Sequence, residues 1–187
     1  MAARITRTLS RLDRSMARRK PMRADELMRE LESDPSWVAK RDERERKQAE
    51  RRKVLDADQK QLVDEICAAG YQVQSVWDLV NNTPHQFLER NFVGEYPDAY
   101  PILIKHLKLD HLPGIREGVI RALTVPDGGD DVAWALLDEF ESEKNADMKW
   151  VISNALRTVM NRKARMQYPA VDEYYSSYGR QPDTKDA

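Results

Sequence analysis

Three histidines, one cysteine and one acid-rich turn are the residues whose types could support chemistry in this chain. Their spacing argues against it. His106 and His111 stand five apart across a predicted helix end, whereas a zinc pair on one helical face needs a spacing of about four. We read both, and His85, as surface or turn histidines. Cys67 has no second cysteine for an intrachain disulfide and no histidine that can be placed beside it as a base. The Asp127-Gly-Gly-Asp-Asp131 loop offers oxygen ligands, but it lacks the alternating spacing and distal glutamate of an EF-hand. Its glycines more simply make a turn. There is no nucleotide-binding glycine motif and no nucleophile elbow. The expectation is a non-enzymatic protein with no catalytic residue, no cofactor and no metal.

The elements around these residues form a unit written twice. Shifting the chain on itself by 33 residues lays Pro101-Ile-Leu-Ile-Lys-His-Leu107 over Trp134-Ala-Leu-Leu-Asp-Glu-Phe140 without a gap. The same shift lays Ile115–Leu123 over Met148–Leu156. A repeat of this length is typical of stacked two-helix units. In the first copy a helix from Pro97 carries Ala99, Leu103, Ile104 and Leu107 on one face, and Asp110 to Gly114 turns the chain into a second helix ending near Val125. Pro126-Asp-Gly-Gly129 separates the copies. The second copy is predicted over Asp130 to Glu143 and Asp147 to about Met166, with Pro169 closing the helical region.

Upstream, apolar periodicity runs from Val54 and Leu55 through Leu62, Val63, Ile66 and Cys67 and stops at Gly70, a good helix terminator. Ser75-Val-Trp-Asp78 has the form of a capping box opening another helix. Thr83-Pro84-His85-Gln86 offers a further cap, and a short helix is expected over Phe87, Leu88 and Phe92. Before these, Ala24 to Leu31 reads as a short helix and Pro35 as the first turn of the next. From Val38 to Lys53 the chain is almost wholly charged, with Asp42–Arg46 and Glu43–Lys47 spaced to support an exposed helix. Such a segment cannot pack on a core along its middle. The domain reading is a basic arm over residues 1–23, a charged helical extension over 24–53, a repeat domain over 54–167 and a tail over 168–187.

The second helix of each unit resembles that of a HEAT repeat. The family's acidic turn, apolar-basic pair and Ala-Leu are met by Asp110, Ile115, Arg116, Ala122 and Leu123, and again by Asp147, Met148, Lys149, Ala155 and Leu156. The resemblance implies an all-α fold, a short armadillo-type α-solenoid of HEAT-like hairpins with a charged N-terminal helical extension. Two clean units fall short of the three usually needed for a stable stack, so the degenerate pair before them and the helix end after must act as caps. HEAT-like proteins bind other macromolecules along the stack. Short bacterial members of this type are often scaffolds, regulators or neutralisers of a toxin, and one lineage excises alkylated bases from DNA.

Charge separates arm from body. Residues 1–23 carry about +7 and the chain beyond residue 53 about −8, within a net charge of −1. In the arm, Arg4, Arg7, Arg11, Arg14 and Arg18 recur at three- and four-residue steps beside Ile5, Leu9, Leu12 and Met16, an amphipathic basic helix if it folds. It reads as a nucleic-acid arm, a membrane-surface helix, a transit peptide, or a disordered, solvated extension, for which Met16 and Met22 offer alternative starts. In the body, Trp134 replaces Pro101 at the edge of a buried stripe, and Trp150 replaces Glu117. Each tryptophan reads as an interface anchor or as partly buried at a hairpin seam. With Glu117, Asp138, Glu139 and Glu141 they form the candidate partner-binding set. An acidic face repels phosphate and attracts a basic partner.

At 187 residues with a single cysteine and no apolar run of membrane-spanning length, a cytoplasmic protein of one domain plus tails is expected. The leading functional expectation is a protein-binding module, a scaffold, regulator or neutraliser of a basic protein. The alternatives are nucleic-acid binding through the arm and, more weakly, base excision, which needs a basic groove that the acidic body does not offer.

Overall fold

The computed structural model describes residues 23–126 and 128–178, so the arginine series of the arm, Asp127 and the end of the tail lie outside the described residues. Within them every regular element is helical. The chain divides into two units between Arg51 and Arg52, inside one continuous helix.

In the first unit, α1 spans Ala24–Ser33 and α2 begins at Pro35 and runs to Ala68. Asp34 makes the join. Its backbone is extended, and its carboxylate accepts the Ser36 amide at 2.8 Å. Hydrogen bonds from Ser36 hold that carboxyl below its ordinary value. The charged stretch is helical, as its spacing predicts, and its sequence gives it no apolar face to bury. The first buried residue of α2 is Gln59. Glu43 pairs with Lys47 at 3.2 Å as expected, whereas Arg46 turns to Glu43, and Asp42 pairs with Arg41 at 2.9 Å. Exposed pairs of this kind contribute little, because solvent screens them.

The second unit starts where α2 acquires an apolar face. Leu62 and Ile66, one turn apart, are fully buried, and Gly70 ends the segment with φ +101°, a conformation that glycine adopts without strain. The predicted capping box at Ser75 forms: Ser75 Oγ accepts the Trp77 amide, and Asp78 accepts the Ser75 amide at 3.0 Å. It opens α3, Val76–Val80. Buried Gln59 ties α2 to this cap, since its Oε1 accepts both Ser75 Oγ at 3.0 Å and the Val76 amide at 3.2 Å.

The short helix expected over Phe87 to Phe92 does not form. His85 Nδ1 accepts the amides of Phe87 and Leu88, a single capped turn that goes no further. Asn82 and Gly94 then pinch the loop shut, with Asn82 Nδ2 donating to the Gly94 carbonyl at 2.7 Å. Phe92 is drawn instead into an edge-to-face series with Tyr71 and Tyr96. Tyr96 is the anchor of this loop. Its hydroxyl donates to the Ala122 carbonyl at 2.9 Å, and burial pushes its pKa up to about 12.

The doubled unit follows. A single 3-10 turn, Pro97–Ala99, leads into α4 (Tyr100–Leu107), and α5 spans Pro113–Ala122. The second copy supplies α6 (Gly129–Ser142) and α7 (Ala146–Val159). α4 packs on α5 and α6 on α7, while α4 also meets α6 and α5 meets α7. Equivalent residues are buried equivalently: Leu103 with Leu136, Ala122 with Ala155 and Leu123 with Leu156 are all fully buried. The alanines allow close approach and the leucines fill the space between helices.

The end of the second copy departs from the expectation. The last helix stops at Val159, not near Met166, because Asn161 caps a new short helix, α8 (Arg162–Arg165), by accepting the Ala164 amide at 3.0 Å. Arg165 satisfies the carbonyls this break leaves open, donating to Arg157 and Met160 at 2.9 and 2.8 Å. Pro169 does not close the helical region. It opens α9, Pro169–Tyr178, which packs on α7 with Val171 buried and Tyr174 edge-on to Phe140. Proline fits there because the first residue of a helix needs no amide hydrogen.

Candidate functional site

The period of α6 decides which of its residues face outward. Val132, Ala135, Leu136, Leu137 and Phe140 are buried, so Asp130, Asp131, Trp134 and Asp138, at spacings of three and four, share the opposite face. Trp134 is 56 % exposed. It stands as a ridge between two concavities. One, of about 360 Å³, is walled by Pro126, Ala133, Leu137, Val159, Met160 and Tyr168, with Asp130, Asn161 and Gln167 at its polar positions. The Trp134 and Tyr168 rings meet edge to face at 6.2 Å. The other, of about 410 Å³, is bounded by Pro101, Ile104, Lys108, Asp131, Ala135 and Asp138. Position 101 and its counterpart 134 in the second copy thus line the same concavity. Walls that mix apolar side chains with polar and charged ones suit an inserted apolar side chain that has polar or charged neighbours.

The rest of the candidate set is dispersed. Glu139 receives Arg116 at 2.5 Å, and Glu143 takes the other arm of the same guanidinium. Burial pushes the Glu143 carboxyl up, but Arg116 and the Asn145 amide outweigh it and leave it below the ordinary value. Burial likewise opposes the charge on Arg116, and the two carboxylates more than restore it. Glu139 is therefore engaged within the protein. Glu117 pairs with Arg121 at 2.7 Å, and Arg121 lines a separate concavity of about 230 Å³ beside Trp150. Glu141 is exposed on α6. Trp150 is half-buried, stacked on Tyr175 and Tyr178 at 5.8 Å each. Its face is covered by α9, a helix whose packing the tail sequence did not suggest. Of the candidate set, the structure brings Trp134 and Asp138 together with Asp130 and Asp131. Arg4, Arg7, Arg11, Arg14 and Arg18 lie outside the described residues.

His106 is not a surface or turn residue, whereas His111 lies in the turn between α4 and α5 as expected, with its ring directed inward. His106 is 1 % exposed, and the two rings sit at the centre of a chain of four groups. Asp58 Oδ2 meets His111 Nδ1 at 3.0 Å, His111 Nε2 meets His106 Nδ1 at 2.9 Å, and His106 Nε2 meets Glu65 Oε2 at 3.3 Å. Both carboxylates come from α2 and have further donors. The Leu112 amide reaches Asp58 at 3.2 Å, and Lys105 and Gln61 reach Glu65 at 2.6 and 2.9 Å. The Lys105 bond, then Gln61, brings the Glu65 carboxyl down to about 2. Burial pushes His106 below its ordinary value, against the pull of Glu65. Asp58 and Glu65 are two helical turns apart and so share a face of α2, but nothing local pairs them with histidines more than forty positions away.

Among the described residues no cluster of side chains fits a metal ion, and no helix is long and apolar enough to cross a membrane. No protein-family model, curated protein or solved structure matches the chain.

Proposed function

We propose that the chain is a non-enzymatic, HEAT-like α-solenoid module that binds a basic protein segment over the Trp134 ridge. The observation that carries this reading is a large aromatic ring left 56 % exposed between two concavities, with aspartates on both sides. Monomer surfaces expose isolated apolar residues freely. Trp134 differs in having a recess beside it walled in part by apolar side chains, an arrangement that concentrates binding energy at a few anchors. Asp130, Asp131 and Asp138 favour a partner that places lysine or arginine next to its apolar anchor, and they speed its association. The packing of α4 with α6 and of α5 with α7 supports the stacked-hairpin reading. Nucleic-acid binding through the arm rests on the charge of residues 1–23 in the sequence.

Peptide selection from a random displayed library on the full chain tests the reading. Enriched peptides carry one apolar residue flanked by lysine or arginine, and Trp134→Ala weakens their binding at least tenfold while leaving the helical circular dichroism unchanged. Enrichment of acidic or uncharged peptides, or binding indifferent to Trp134→Ala, refutes it.

A further inference from the structure

The Asp58–His111–His106–Glu65 chain poses a counting problem. Its three links each need one hydrogen between two heavy atoms. Two neutral imidazoles supply only two, since each has one N–H and carboxylates have none. With one proton on each ring given to its carboxylate, the middle link sets His106 Nδ1 and His111 Nε2 lone pair against lone pair at 2.9 Å. The rings do not escape this by stacking face to face. Their centroids are 5.2 Å apart at 24°, a separation accounted for by the N···N distance plus two ring radii. The rings therefore lie end to end, and the middle link runs along the direction in which each nitrogen's lone pair or hydrogen points.

We propose that these four residues form a proton-binding clasp, satisfied only when it holds three protons, which fastens residues 58–65 of α2 to the α4–α5 hairpin. The third proton belongs in the middle link. Glu65 is occupied by Lys105 and Gln61 and stays ionised, and Asp58 Oδ2 accepts the Leu112 amide as well as His111. His106 is the more deeply buried ring, so the arrangement consistent with every donor has His111 giving both N–H groups, to Asp58 and to His106, and His106 giving one, to Glu65. The charged groups facing the pair are Asp58 and Glu65 from α2 and Lys105 from α4. Loss of the middle proton on the alkaline side leaves two buried lone pairs opposed. A fourth proton on the acid side sets two N–H groups against each other. Either change loosens the same attachment, and the rings titrate as a coupled pair.

The test is a histidine-selective ¹H–¹⁵N long-range spectrum of the full chain from about pH 5 to about pH 9, below the lysine range. Near neutrality, three of the four ring nitrogens of His106 and His111 carry hydrogen, His106 is the Nε2–H tautomer, and both rings change with one shared midpoint as the third proton leaves. Two protonated nitrogens throughout the neutral range, or unrelated midpoints for the two rings, overturn the proposal. In parallel, the wild-type melting temperature falls by roughly 5 °C across the alkaline step, and His111→Gln removes that step. The same alkaline fall in a folded His111→Gln protein also overturns it, and if that variant does not fold, the wild-type spectrum decides.

Discussion

Gly118→Ala tests the packing of α3 on α5. Gly118 lies inside α5, where replacing glycine by alanine ordinarily stabilises a helix by about 1 kcal/mol. Here the new Cβ would stand 2.6 Å from Val76 Cγ1 and 3.3 Å from the Trp77 indole. Carbon atoms pack comfortably at about 3.5–4.0 Å, so α3 would have to withdraw by about 1 Å. It has little freedom to do so. Val76 is fully buried and β-branched, and Gln59 and Ser75 pin the start of its helix. Overpacking of this kind costs about 1–3 kcal/mol, which exceeds the gain in propensity by about 1 kcal/mol at mid-range. The expected result is a melting temperature lowered by about 2–4 °C. Gly114→Ala is the matched control, because its Cβ would meet Leu55 at an ordinary 3.6 Å, and it is expected to be neutral or stabilising by up to about 1 kcal/mol. Urea midpoints with unchanged m-values give both numbers. If Gly118→Ala proves as stable as Gly114→Ala, α3 does not pack on α5 as described.

Two further perturbations address the ends of the repeat region. Trp150→Ala removes the surface on which Tyr175 and Tyr178 stack, so α9 should undock at a cost of about 2 kcal/mol and residues 169–178 should become the first site of limited proteolysis; unchanged cleavage kinetics would show that the stack does not hold the helix. Glu65 has a folded pKa below the ordinary carboxylate value, so its contribution is complete above about pH 4.5 and is lost as the pH falls toward about 2. Lys105→Met removes the chief cause, and acid unfolding should then begin at higher pH, by an amount equivalent to no more than about 1 kcal/mol because Lys105 is more than half exposed; superimposable acid-unfolding curves would contradict that assignment.

What could be read from the sequence was what neighbours in the chain decide. The stop at Gly70, the capping box at Ser75 and the paired buried positions of the two copies depend on local conformation and helical period, and they form as expected. The rest is decided by distant partners. Phe92 leaves its expected helix for Tyr71 and Tyr96. In sequence Tyr174, Tyr175 and Tyr178 stand among polar residues and suggest a tail, yet their rings meet Phe140 and Trp150. At the candidate site, replacement of Pro101 by Trp134 drew attention to the exposed ring, whereas Tyr168, Met160 and Asn161, which complete its groove, depend on a helix break created by the Asn161 cap. The burial of His106 is not legible from spacing along one helix, because its ring and that of His111 pair with carboxylates on α2.

One consequence of the doubling bears on the clasp. The shift of 33 residues places His106 over Glu139, and each side chain reaches from its own helix to an earlier one, His106 to Glu65 of α2 and Glu139 to Arg116 of α5. Equivalent positions of the two copies thus both reach back to an earlier helix, with different chemistry. Arginine with two carboxylates keeps its charge throughout the physiological range, so the Arg116 attachment is constant there. The imidazole pair, in the clasp proposed above, holds its third proton reversibly. Exchanging the chemistries would therefore exchange the behaviour of the attachments, and the proton dependence belongs to α2, the helix that also carries the charged extension, rather than to the helices around Trp134.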